Sequence, residues 1–433
     1  MSSRSIRNLI LLWLAWIFIV LGFQAWASMR FQVKHPDYAL EWTPIDTALT
    51  YKLHKPYLNE PFMNQQVAFD SEYYLSIATV GYNDPKVTHG RVNGQSLSLN
   101  YAYLPLYPYT MRLLGFPLRL FGLDPIATST LAGVIVSLLG ALGGMFALYD
   151  LERDEPHETR AASSAPGRTN YVQVPSKGAS DLAEEGAWRT VFYLLVYPAG
   201  FFLAMVYTEG LFVGLAFGSL ALMRRNKWLL AALLAACATL TRSVGVALVI
   251  PLVLAYFRSG QWREIRFSPL GLKPLATGLL TLLPLLAYIV WRLSPLGHLF
   301  QLVDEEYFGR QLLDLETSFN GWLQAIRSLV GSNPQTAAYY MVEIGTTLLA
   351  IIACFFTFKR YPEVTLFSLA VIFISLTSGY PQGMHRYVMT APSLFLFLGR
   401  LGKHPAFDRA WTILSTLLMG ALALLFAADM WAG

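Results

Sequence analysis

Five ionisable side chains stand where charge is costly. Asp70 opens the segment Phe69-Asp70-Ser71-Glu72-Tyr73-Tyr74-Leu75-Ser76-Ile77-Ala78-Thr79-Val80-Gly81-Tyr82. Glu209, Arg242, His385 and Arg386 each sit at the mouth of an apolar run. Charges at such places tend to be functional or paired. Tyr74, Ile77 and Ala78 recur at helical spacing, and Gly81 suits a helix stop. Asp70 then falls at or beside an N-cap, where its carboxylate would accept a backbone N–H. The two roles are compatible, because a capped carboxylate stays ionised and keeps one oxygen free for a proton. Glu72 lies on a different face of that helix, so no paired-carboxylate site is read there.

The next segment is Tyr101-Ala102-Tyr103-Leu104-Pro105-Leu106-Tyr107-Pro108. Two prolines three apart cannot lie in a helix interior. They make a rigid turn entering a helix from the membrane surface. Its tyrosines suit an interfacial belt, and residues 109–123, with Arg112 and Arg119 on a Leu/Phe-rich stretch, suit a helix lying in that interface. Asp304-Glu305-Glu306 supplies oxygens for a divalent cation, but a solvated acidic patch is the simpler reading, so no metal ligand is assigned. No Gly-rich phosphate loop follows a strand, which speaks against a nucleotide-sugar fold.

The rest of the chain must hold these groups at a membrane. Of 433 residues, 55% are hydrophobic and only 14% charged, and the mean hydropathy is +0.44. Soluble domains carry ~25% charged residues. An ordinary soluble enzyme, a disordered chain and a coiled coil are excluded. Two cysteines exclude a disulfide scaffold, and the net charge of +5 is too small to imply nucleic-acid binding. Uncharged runs at 8–29, 125–149, 190–208, 274–291, 364–384 and 410–428 mark spans of roughly 20 residues. Shorter runs at 210–223, 228–241, 243–257, 344–358 and 387–399 bring the total to about eleven crossings. The fold class is all-α and polytopic, with the whole chain 1–433 as one membrane-embedded domain.

Arg4 and Arg7 precede the first run, so the N-terminus is expected in the cytoplasm. Six segments then face inward: 1–7, 150–189, 224–227, 258–273, 359–363 and 400–409. They hold 19 of the 32 Lys and Arg residues. Residues 150–189, rich in Ala, Ser, Gly and Pro, read as a disordered cytoplasmic linker. Two long external loops remain, 30–124 and 294–335. This map places Asp70, Glu209, Arg242, His385 and Arg386 at one membrane face.

At this point the residues resemble a family. Asp70 with Tyr74-Leu75, Ile77-Ala78 and Gly81-Tyr82, followed by Ala102-Tyr103-Leu104-Pro105-Leu106-Tyr107-Pro108, is similar to the GPI mannosyltransferase II (PIG-V) family, of the GT-C class of polytopic glycosyltransferases. Tyr207-Thr208-Glu209-Gly210-Leu211-Phe212, Thr241-Arg242-Ser243-Val244-Gly245 and His385-Arg386-Tyr387 match more weakly. Val244 stands where the family has Asn, and Gly210 where Ser is common. The external loops carry no Asn-x-Ser/Thr site, which fits a prokaryotic relative in a plasma membrane rather than an ER protein. The resemblance implies a dolichyl- or polyprenyl-phosphate mannose donor, a lipid- or glycan-linked acceptor, inverting transfer on the external or lumenal face, and no cofactor. It implies Asp70 as catalytic base. Arg242, Arg386 and His385 would meet the donor phosphate. Glu209, Tyr74, Tyr103 and Tyr107 would line the substrate site. A secondary transporter or lipid flippase is the alternative, disfavoured by the lack of an internal repeat. A catalytically dead assembly subunit would leave Asp70 dispensable.

Overall fold

The computed structural model describes residues 1–153, 177–264, 272–331 and 333–433. Among these residues the fold is all-α apart from one hairpin. The α-helices of five or more residues, in chain order, are α1 Ser3–Arg30, α2 Ser71–Thr79, α3 Leu106–Leu118, α4 Pro125–Arg153, α5 Lys177–Leu195, α6 Glu209–Arg224, α7 Trp228–Thr241, α8 Val249–Arg258, α9 Leu272–Leu280, α10 Leu283–Leu293, α11 Pro295–Glu306, α12 Leu315–Gly331, α13 Pro334–Thr357, α14 Pro362–Leu376, α15 Met384–Val388, α16 Pro392–Leu401 and α17 Pro405–Ala427. Strands β1 His89–Val92 and β2 Gln95–Ser98 pair antiparallel, with Val92 opposite Gln95.

Local chemistry sets the helix starts. Proline occupies the first position of α4, α11, α13, α14, α16 and α17, where its missing N–H is an orphan in any case. Ser2 caps α1 by accepting from the Ser5 N–H at 3.1 Å. The hairpin turns on Asn93 and Gly94, both at positive φ, as a two-residue turn matched to strand twist requires.

Among the described residues, α1, α4, α13 and α17 are long and apolar enough to cross a membrane, and α9 with α10, bent by 52° at their break, are so only if taken together. The chain is an integral membrane protein. Its outer surface is apolar where lipid would lie: Phe18, Ile19, Val290, Phe355, Ile413 and Leu417 are all exposed.

The other expected crossings are shorter or broken. The run 190–208 does not make one helix. α5 ends at Leu195, and residues 196–208 follow as a wholly buried, irregular stretch with one 3-10 turn, Gly200–Ala204. Non-helical backbone at such depth is tolerated only inside protein, and this stretch is satisfied there. The Val206 N–H donates to the Gln66 carbonyl at 3.0 Å. Ser71 and Ser137 hydroxyls donate to the Val206 and Tyr207 carbonyls. The polar linker is also narrower than its composition suggests: α4 continues through Arg153, and residues 177–189 belong to α5. Glu184 anchors that end by accepting from Ser5 and Tyr149. Residues 154–176 lie outside the described residues.

The core gathers around α4, α6, α16 and the buried stretch, with Tyr107, Tyr149, Tyr197, Tyr207, Phe202 and Phe395 among its largest fully enclosed side chains. α4 and α6 meet backbone to backbone. A Cβ added at Gly210 would lie 2.2 Å from the Ser137 carbonyl oxygen, and one at Gly140 would lie 2.4 Å from the Gly210 carbonyl oxygen. Small residues permit such close helix contact in membranes. Gly210 therefore has no room for the serine common in the family it resembles.

Candidate active site

Asp70 precedes α2 but does not cap it. Its backbone is already helical (φ −57°, ψ −24°), and its side chain accepts no backbone N–H. The capping expectation fails because the carboxylate is turned outward, toward other side chains. One oxygen accepts from the Tyr103 hydroxyl at 3.1 Å and the other from Arg386 Nη1 at 3.3 Å. The backbone behind it is fixed as well: the Asp70 N–H donates to the Tyr207 hydroxyl at 3.2 Å, and that hydroxyl donates to the Ala68 carbonyl at 3.1 Å. Phe69, just before, is held at φ +47° against Trp431, ring centroids 5.1 Å apart. A bulky residue in that region is strained, and such strain concentrates at functional sites.

Glu209 is the first residue of α6 and is fully buried. Its Oε1 pairs with Arg242 and stands 3.3 Å from Arg386 Nε. Arg242 also donates to the Thr208 hydroxyl at 3.2 Å. It sits at the break between α7 and the 3-10 turn Ser243–Leu248, where an extended backbone directs the side chain away from the helix axis. Beside it, Val244 packs against the core. The result is a continuous polar chain from Tyr103 through Asp70, Arg386 and Glu209 to Arg242.

Arg386 is enclosed by aromatic faces, with its guanidinium 5.1 Å from the Tyr207 ring and 5.3 Å from Phe202. Tyr387 carries three guanidiniums on its ring: Arg242 at 5.1 Å, Arg386 at 5.4 Å and Arg310 at 5.6 Å. Arg310 was not among the residues expected here. It lies between α11 and α12 and is exposed, and among the described residues it forms no ion pair. The sequence around it offers no periodicity or motif, so only a charge count over the second external loop would have singled it out.

The structure does not bring all expected residues to this point. His385 and Arg386 are consecutive in α15, so their side chains diverge by about 100°. His385 points inward, with Nε2 2.9 Å from the Ala432 carbonyl and Nδ1 3.0 Å from Glu343. Tyr107 is fully buried under α4, bonded to Gly133 and Ser137. Tyr74 is buried behind Tyr103, edge-on at 5.1 Å. Tyr103 faces the site and stacks on Tyr73 at 4.7 Å. Both tyrosines depend on α2 and α3, which Arg112 ties together by donating to the Ile77 and Ala78 carbonyls at 2.8 Å.

The acidic residues nearby serve the scaffold. Glu72 accepts from the N–H and hydroxyl of Thr88, and burial raises its carboxyl above the usual range against the opposing pull of Lys55. Asp304, Glu305 and Glu306 diverge. Glu306 accepts from the Asn93 N–H and Glu305 from Gln301. Burial pushes Asp304 up to about 6, although Arg310 opposes this. Among the described residues no group of His, Cys, Asp and Glu is placed to hold a metal ion.

No protein-family model matches the chain, and no curated protein matches it. Among solved structures it is similar to ArnT from Cupriavidus metallidurans bound to undecaprenyl phosphate (TM-score 0.48, 14% identity over 95% of this chain and 62% of that one). It is similar to the same protein in the apo state (TM-score 0.44, 17% identity, 86% and 61%). It is also similar to the oligosaccharyltransferase of Archaeoglobus fulgidus in the apo form (TM-score 0.44, 12% identity, 96% and 56%). The chain spans about three-fifths of the length of these structures.

Proposed function

We propose that this protein is a GT-C-type membrane glycosyltransferase. It transfers a sugar from a polyprenyl- or dolichyl-phosphate carrier to a lipid- or glycan-linked acceptor by inverting single displacement. The carrying observation is one carboxylate, Asp70, fixed at the edge of a cluster of three guanidiniums. Asp70 and Glu209 offset two of these charges. The third, exposed Arg310, has Asp304 nearby but no ion pair among the described residues, and is open to an anion such as a phosphodiester.

In this reading Asp70 takes the proton from the acceptor hydroxyl. The acceptor oxygen bonds the anomeric carbon as the bond from that carbon to the phosphate oxygen breaks. The lipid phosphate leaves with the electron pair, and Arg310, with Arg242 and Arg386 behind it, stabilises the developing charge. Tyr103 orients the base. Glu209 keeps two guanidiniums in place, and His385 positions Arg386 by anchoring α15 to Glu343. The acceptor would approach from the side of the shallow cleft beside Phe69, which Lys52, Lys55, Asp46 and Asp429 also line. Mannose is the sugar we propose, from the motif around Asp70. The proposed membrane is a prokaryotic plasma membrane, with the N-terminus cytoplasmic and this site external.

The test is transfer of radiolabel from polyprenyl-phosphate mannose to a membrane-lipid extract by purified protein in lipid, with Asp70→Asn alongside. Transfer by wild type alone supports the reading. Equal transfer by both removes Asp70 from the chemistry.

A further inference from the structure

Residues 428–433 run from the end of α17 back to the Asp70 site. Asp429 turns the chain at φ +55° and pairs with Lys52. Trp431 then reaches the segment that carries Asp70. Its N–H donates to the buried Asp37 carboxylate at 3.1 Å. Its ring meets Phe69 edge-on at 5.1 Å and Trp42 at 4.8 Å. The Ala432 carbonyl lies 2.9 Å from His385 Nε2. Gly433 packs so closely that a Cβ there would lie 2.5 Å from the His385 ring. Trp431 and Ala432 thus hold the two sides of the Asp70–Arg386 contact, which joins positions 316 apart in the sequence.

The two sides need holding for different reasons. Phe69 has φ +47°, a conformation that a Cβ disfavours and that packing must impose. The φ at this residue sets the direction in which the chain enters α2, so relaxing it would move the Asp70 carboxylate off Arg386. Arg386 rides on α15, which is only five residues long and too short to hold its own direction. Glu343 accepts the Gly383 and His385 N–H groups at 2.7 Å each, and the Ala432 carbonyl fixes the His385 ring.

We infer that Trp431 is a positioning residue for Asp70: its ring clamps Phe69 in the left-handed conformation that aims the carboxylate at Arg386, while Ala432 keeps α15 in register with it. The inference rests on the reading of Asp70 as the base. Trp431 acts through Phe69 and not on the substrate.

Two measurements on the full chain in lipid test it. The first is steady-state transfer from polyprenyl-phosphate mannose, with Asp70→Asn as reference. Trp431→Ala should lower kcat roughly 10- to 100-fold, as a base displaced by about an ångström implies, and leave the donor KM within about twofold. Trp431→Phe keeps a ring edge against Phe69 and should recover most of kcat. Phe69→Gly adopts positive φ freely. In that background Trp431→Ala should cost nothing further, because the side chain it clamps is gone. The second measurement is hydrogen exchange over residues 66–75, which needs no substrate. Trp431→Ala should speed exchange at the amides from Asp70 to Tyr73 and leave α4 unchanged. If Trp431→Ala does not fold, Trp431→Leu keeps apolar bulk without the ring and carries the same expectations. Undiminished kcat in Trp431→Ala beside an inactive Asp70→Asn overturns this inference alone. So do losses that multiply in the double variant with Phe69→Gly, or unchanged exchange over 66–75. An Asp70→Asn as active as wild type overturns the base reading instead.

Discussion

Asp70 and Glu209 both contact Arg386, yet removing either charge should have opposite consequences. Glu209 is fully buried and is the carboxylate shared by Arg242 and Arg386, whose side chains are 15% and 5% exposed. Glu209→Gln would leave two enclosed guanidiniums with only the Thr208 hydroxyl and Asp70 as partners. Breaking a buried pair from one side costs about 3–5 kcal/mol. Asp70 is different. Its side chain is 28% exposed, and Arg386 keeps Glu209 when Asp70 is neutralised. Asp70→Asn should therefore alter stability little. Its effect belongs to the rate: loss of a general base removes roughly 10²–10⁴-fold, or about 3–5 kcal/mol of barrier. The assay pairs sugar transfer with denaturation midpoints in one detergent. We expect Asp70→Asn to be folded and inactive, and Glu209→Gln to be strongly destabilised. A stable Glu209→Gln beside an unfolded Asp70→Asn would refute the division of labour.

Arg310→Gln should raise the KM for the lipid-phosphate donor roughly tenfold or more, as loss of a charged contact implies, with only a small loss of stability, because the exposed side chain makes no ion pair among the described residues and only eases the burial of Asp304; steady-state kinetics checks this. Gly210→Ser should force α6 from α4, because a Cβ there meets the Ser137 main chain, read as lost transfer and a lowered midpoint. Asp304 is raised to about 6 from an ordinary 3.8, so its ionised form disfavours the folded loop. That cost is absent below pH 4, grows between pH 4 and 6 and is complete above. Asp304→Asn should stabilise the protein at pH 7 relative to wild type, by at most about 3 kcal/mol and by less once solvent screening of a partly accessible group is allowed for. The difference between the two should vanish near pH 4, measured as paired denaturation midpoints across that range.

Much of the helical frame was legible because apolar runs and proline at first turns are local signals. Asp70, Arg242, Arg386 and Glu209 were brought together by a simple rule, that charges at the mouths of spans gather on one face. The rule cannot see direction within a turn. It placed His385 beside Arg386, whereas adjacent helix residues point apart, and His385 belongs to Glu343 and the Ala432 carbonyl. It also took 190–208 for one helix, since hydrophobicity does not distinguish a span from an irregular buried stretch. Val92-Asn93-Gly94-Gln95 was a readable hairpin signal that the long external loop obscured. Arg310 had no local signature at all, because its place depends on the packing of α11 and α12 against the rest of the site.

The close approach of α4 to α6 also bears on how such a protein can change over generations. Glu209 is one residue from the point where Gly210 meets the main chain of Ser137. Its depth is thus a property of two backbones and not of any exchangeable side chain. A single methyl group at 140 or 210 would have to part the helices before it could be tolerated, and the carboxylate would move with them. Change is easier elsewhere, in the segment that carries Arg310 and the cleft beside Phe69, where substitutions meet solvent instead of main chain.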